Sequence, residues 1–159
     1  MAPKPITPKR DGIAFFDLDG TLRGGNLAEW FGFLKSHGLI KDATWRRMLT
    51  EDRLLRSKRQ NIRQFSTNIM NLYAGALKGV PITAVEHLAT DFVQQPDLLK
   101  MHEFAEPLVN LMNDHCITTL VTGQPIELSR AIARKFGMTD CMGDRIRDKE
   151  WDLYWQSFD

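Results

Sequence analysis

Ile13-Ala14-Phe15-Phe16, followed at once by Asp17-Leu18-Asp19-Gly20-Thr21, is the stretch that most narrows what this chain can become. An unbroken aromatic and β-branched run between Gly12 and Asp17 reads as a short parallel strand buried on both faces. Alternation along the extended chain turns Asp17 and Asp19 to the same side, at the carboxyl edge of the sheet, where α/β proteins bind ligands. Gly20 supplies the positive φ of a sharp turn, and Thr21 offers a hydroxyl and an amide to an anion. Two acids, a turn glycine and a hydroxyl in this order suit a phosphate and a divalent cation.

The rest of the chain shows which elements surround that strand. Residues 1 to 12 hold three prolines and three basic residues without periodicity, a loose tail. Leu27, Trp30, Phe31 and Leu34 repeat at helical spacing up to Gly38, and Ile62, Phe65, Ile69, Leu72, Tyr73 and Ala76 do so up to Gly79 and Pro81. Thr83 and Glu86 predict a capping box for a third helix carrying Val85, Leu88, Ala89, Phe92 and Val93. Residues 27 to 100 are therefore expected to be helical. Pro107, in a first turn, opens a helix that ends near His115. Ile117 to Val121 then reads as a second strand ending at Thr122-Gly123, with Pro125 starting the next helix and Gly137 closing it. Strand, helical insertion, helix, strand, helix begins a doubly wound, Rossmann-like parallel α/β sheet.

Charge and composition exclude several functions. With 21 basic and 20 acidic residues the formal charge is +1, so no global field draws the chain to nucleic acid or to an anionic membrane. Cys116 and Cys141 match no metal spacing and read as reduced thiols, as in a cytoplasmic protein. No apolar run spans a bilayer, and no leader pattern is expected. Seven basic and two acidic residues between Trp45 and Arg63 read as a solvated helix face rather than a nucleic-acid module.

Phe16-Asp17-Leu18-Asp19-Gly20-Thr21-Leu22 closely resembles the first signature of the haloacid dehalogenase superfamily, and Thr122-Gly123 is similar to its second. The helical insertion, with Leu77-Lys78-Gly79-Val80-Pro81, resembles the cap of the phosphoserine-phosphatase-like branch (subfamily IB). The resemblance implies an α/β core of residues 13–26 and 101–159, with a helical cap of residues 27–100 that closes over the substrate. It implies a magnesium-dependent phosphomonoester hydrolase of a small phosphorylated metabolite. Asp17 would become an aspartyl phosphate, Asp19 would act as acid and base, and Gly20, Thr21, Thr122 and Gly123 would hold phosphate. An aspartate is ionised at neutral pH, so such a nucleophile needs positioning rather than a base. Where phosphoserine phosphatases carry a glutamate that reads the substrate amine, this chain has Asn26, so phosphoserine itself is not expected.

The family's later motifs, a bracing lysine and an acidic pair for Mg2+, are the weak part of the match. Gly143-Asp144-Arg145-Ile146-Arg147-Asp148 fits the acidic pattern literally, which makes Asp144 a third metal candidate beside Asp17 and Asp19, with Asp148 after it. The stretch before it makes a poor buried strand and suits the edge strand after the second motif. Lys149 and Lys135 are candidates for the lysine. An incomplete sheet is expected, and a truncated or catalytically impaired binding protein is the alternative. Trp151, Tyr154, Trp155 and Phe158 follow helical spacing and would form an aromatic stripe able to pair two copies of the chain.

Overall fold

A computed structural model describes residues 12–147 and 150–157. The expected tail, apart from Gly12, lies outside those residues, as do Asp148, Lys149 and Phe158. The chain divides into two compact units, Gly25–Leu99 and Met1–Gly24 with Lys100–Asp159.

The first unit is wholly helical: α1 (Leu27–Ser36), α2 (Asp42–Arg56), α3 (Ile62–Ala76), α4 (Ile82–Val93) and the single turn α5 (Pro96–Leu99). Asn26 starts α1 because its side chain accepts from the Ala28 amide at 2.7 Å, while Glu29 accepts from the Asn26 amide at 2.8 Å. Asn61 and Gln64 make the same reciprocal box at α3. The box expected from Thr83 and Glu86 does not form. Pro81, with φ fixed at −59°, is the N-cap of α4, so Thr83 already lies inside the first turn. Gly38 and Gly79 take φ of 78° and 84°, a left-handed reversal that residues with a Cβ adopt at a cost. The interior gathers around Trp30, whose ring lies 5.4 Å from Phe92 edge-on and 6.1 Å from Phe33 in a stack. Phe31 and Tyr73 pack beside them at 5.4 Å.

The second unit contains β1 (Ile13–Asp17), α6 (Ala105–His115), β2 (Ile117–Pro125), α7 (Ile126–Lys135), β3 (Asp140–Arg147) and β4 (Glu150–Ser157). Strands β1, β2 and β3 are parallel neighbours, and β4 pairs antiparallel with β3, in an open sheet ordered β1-β2-β3-β4. Register sets Phe16 beside Leu120 and Leu120 beside Cys141, all buried on one face. Helix α6 packs on that face, where Asn113 accepts from the Thr118 hydroxyl. So does α7, since a Cβ on Gly143 would lie 2.6 Å from the Ser129 Oγ.

Two expectations are corrected here. Strand β1 is not buried on both faces: Ile13 is 58% and Phe15 66% exposed, because β1 is an edge strand and both helices of the unit lie on the other face. The stretch that carries Trp151, Tyr154 and Trp155 is not helical. Glu150 to Ser157 pair residue by residue with Arg147 to Asp140, and the strand preference of Trp and Tyr agrees with that ladder.

Candidate active site

Strand β1 delivers Asp17 to the sheet edge, and the next residues turn back sharply. Leu18 is fully buried, and its carbonyl accepts the amides of Thr21, Leu22 and Arg23 at 3.3, 3.0 and 3.0 Å. Gly20 takes φ +78° and donates its amide to the Arg23 carbonyl at 2.9 Å. Leu18, just past the strand in this turn, is buried between two exposed acids.

The two carboxylates have different surroundings. Asp17 Oδ2 accepts from the Thr21 hydroxyl at 2.7 Å, and Oδ1 accepts no other hydrogen bond among the described residues. Thr21 is thus occupied within the loop, its amide by Leu18 and its hydroxyl by Asp17. Asp19 is held on both oxygens. Arg23 Nε donates to Oδ1 at 2.6 Å from a fully buried side chain, and Gln124 Nε2 donates to Oδ2.

Strand β2 brings the second group of residues. Asp17 is in register with Val121, so Thr122 is the next residue along the neighbouring strand. Its hydroxyl oxygen accepts from the Gln124 amide at 3.3 Å. Gly123 is exposed, with open space where a Cβ would stand. Helix α7 begins directly after Pro125 without a side-chain cap, so its first amides and the positive end of its dipole follow the Thr122 turn. An exposed carboxylate, a hydroxyl and a helix start without a side-chain cap can together attack and hold a phosphoryl group.

The remaining candidates stand elsewhere. Lys135 ends α7, about 15 Å along its axis from the Thr122 turn at 1.5 Å per residue. Asp144 lies within β3, two strands from β1, and burial pushes its carboxyl above the ordinary aspartate range. The preceding glycine has a packing reason: a Cβ on Gly143 would also meet the Gln124 carbonyl at 3.0 Å and Ile126 Cα at 3.1 Å. The Gly-Asp pattern is therefore part of a strand pressed against the β2–α7 turn. Burial likewise lifts the Cys141 thiol to about 11, which leaves it inert as a nucleophile. Asn26, at the position compared with a substrate-reading glutamate, is the α1 cap.

No three His, Cys, Asp or Glu side chains among the described residues lie together to hold a metal ion. Magnesium takes oxygen ligands in an octahedron, commonly one or two carboxylates with waters and substrate phosphates. Asp17 offers one carboxylate, while both Asp19 carboxylate oxygens are engaged, so the described side chains do not complete such a site. Arg23 and Gln124 carry no sequence signal of their own. An arginine after a turn usually faces solvent, and burial alone marks this one.

Comparison with known proteins agrees with this architecture. The family model of the haloacid dehalogenase-like hydrolases matches residues 14–157. No curated protein matches the chain. Among solved structures, a protein of unknown function from Bordetella pertussis Tohama I is similar with a TM-score of 0.68 and 22% identity, over 92% of this chain and 67% of that one. A phosphoserine phosphatase, solved as a phospho-aspartyl intermediate analogue, is similar with a TM-score of 0.52 and 20% identity, over 94% of this chain and 64% of that one. A hydrolase of the same family from Salmonella enterica subsp. enterica serovar Typhi has a TM-score of 0.55 and 14% identity, over 93% of this chain and 46% of that one. The chain thus spans about two thirds or less of the length of these proteins.

Proposed function

We propose, starting from the fact that this chain belongs to the haloacid dehalogenase-like hydrolase family, that it hydrolyses phosphomonoesters of small metabolites with Asp17 as nucleophile. The observation that carries this reading is the Asp17 carboxylate, exposed at the end of β1, with Oδ1 outside any described hydrogen bond and Thr122 one register step away. Asp17 Oδ1 would form a bond to phosphorus while the ester oxygen leaves with a proton from Asp19. Water would then attack the aspartyl phosphate, giving a proton to Asp19 and releasing phosphate with Asp17 restored. Thr122, Gly123 and the start of α7 would face the phosphoryl oxygens, so that the work is mainly positioning and charge neutralisation.

Magnesium is the cofactor assigned in this reading, with Asp17 and the Asp19 carbonyl as the groups to hold it and charge neutralisation as its contribution. A cytoplasmic setting is part of the same proposal; among the described residues no helix is long and apolar enough to cross a membrane. A second reading, an impaired binding or regulatory member of the family, is motivated by the absence of an acidic cluster among the described residues.

The test is hydrolysis of an aryl phosphate in magnesium by the purified chain and by Asp17→Asn. Loss of turnover in the variant supports the hydrolase, and equal rates overturn it. An inactive chain that still binds orthovanadate, with binding lost in Thr122→Val, supports the second reading.

A further inference from the structure

Gln124 joins the two strands that form the site. It is 2% exposed, its amide nitrogen reaches Asp19, 105 positions earlier in the chain, and its main-chain amide donates to the Thr122 hydroxyl. A carboxylate oxygen only accepts, so the NH2 end of the amide is the end turned toward Asp19. The other end gains nothing: Gln124 Oε1 is buried without a hydrogen-bond partner among the described residues. A half-satisfied buried amide weighs against folding, and an apolar residue of the same length would avoid that loss. Packing therefore does not account for a glutamine here, and its bond to Asp19 does.

We propose that Gln124 is a positioning residue, whose NH2 group fixes the Asp19 carboxyl from the β2 side while Arg23 Nε fixes it from the other. The inference rests on the reading in which Asp19 serves the reaction at Asp17. With both oxygens engaged, the carboxyl has one orientation, so its distance to an ester oxygen on Asp17 is set before substrate arrives. This matters most when the departing oxygen needs a proton: a protonated Asp19 keeps one oxygen to accept and turns its O–H to that oxygen, so delivery depends on where the carboxyl is held.

The experiment compares wild type, Gln124→Met and Asp17→Asn on an aryl phosphate, whose phenolate leaves unaided, and on an alkyl phosphate, whose alkoxide does not. Gln124→Met keeps the length and removes the donor. The expected result is an unchanged or raised melting temperature, KM within about twofold, and kcat on the alkyl ester about 10- to 100-fold lower, with the aryl ester within about threefold. Gln124→Glu, which keeps the shape and sets a like charge against Asp19, is expected to lose at least as much. Equal losses on both esters, or none on the alkyl ester, overturn the inference while leaving the hydrolase reading in place. If wild type and Asp17→Asn are indistinguishable on both, the hydrolase reading fails and the role of Gln124 fails with it.

Discussion

Among the described residues, and apart from the polar tips of the buried rings Trp30 and Tyr73, the buried polar or charged side chains, Arg23, Thr118, Thr119, Thr122, Gln124, Ser129 and Asp140, all belong to the α/β unit. The helical unit buries Trp30, Phe31, Leu34, Met70, Tyr73 and Phe92 around one aromatic cluster. A polar group taken from water is costly unless it finds a partner, so an interior that accumulates such groups is not built for stability alone. Three of the seven, Arg23, Thr122 and Gln124, stand where β1 and β2 end. One unit is organised by packing, and the other carries polar groups that hold the Asp17 loop in place.

The comparison breaks first, if it breaks, at the aromatic cluster. Trp30→Ala is expected to destabilise by about 3–5 kcal/mol, with hydrogen exchange accelerated in α1 and α4 and β2 still protected. Equal loss of protection in β2 would show that the units do not differ as described. Next is Gly143→Ala, whose methyl meets Ser129 Oγ at 2.6 Å and two main-chain atoms near 3 Å. A loss of about 1–3 kcal/mol in chemical denaturation is expected, and a neutral result would mean that β3 does not press on the β2–α7 turn. Asn26→Ala should cost about 1 kcal/mol through the lost cap and leave the rank order of phosphomonoester substrates unchanged. A changed order would make Asn26 a substrate reader after all. The smallest effect concerns Asp144. Its carboxyl is raised by burial, so its contribution to stability is full below the ordinary aspartate value and is lost as pH rises through the folded value. Asp144→Asn should therefore be more stable than wild type near neutral pH and no different in acid, as read from melting temperatures across that range.

The motif at the end of β1 was legible because it is local: alternation, a turn glycine and a hydroxyl follow one another in sequence, and the structure places them in that order. Helices α1, α3 and α4 were legible from spacing, and α6 from Pro107 in its first turn, for the same reason. What was not legible depends on partners far along the chain. The burial of Arg23 and the reach of Gln124 to Asp19 need the fold to exist first. Trp151, Tyr154 and Trp155 fit a helical period by accident of spacing, and pairing with β3 decided otherwise. Gly143-Asp144 matched a pattern of letters, whereas the close approach of Ser129 and Ile126 explains the glycine physically. At Thr83 the box pattern was present but Pro81 began the helix earlier.

The central claim is that Asp17 takes up the phosphoryl group. Borohydride added during turnover of an aryl phosphate reduces an acyl phosphate to the alcohol, so peptide mass spectrometry should find homoserine at position 17 and aspartate at position 19. Turnover with aspartate intact at 17, or reduction at another carboxylate, would contradict the account.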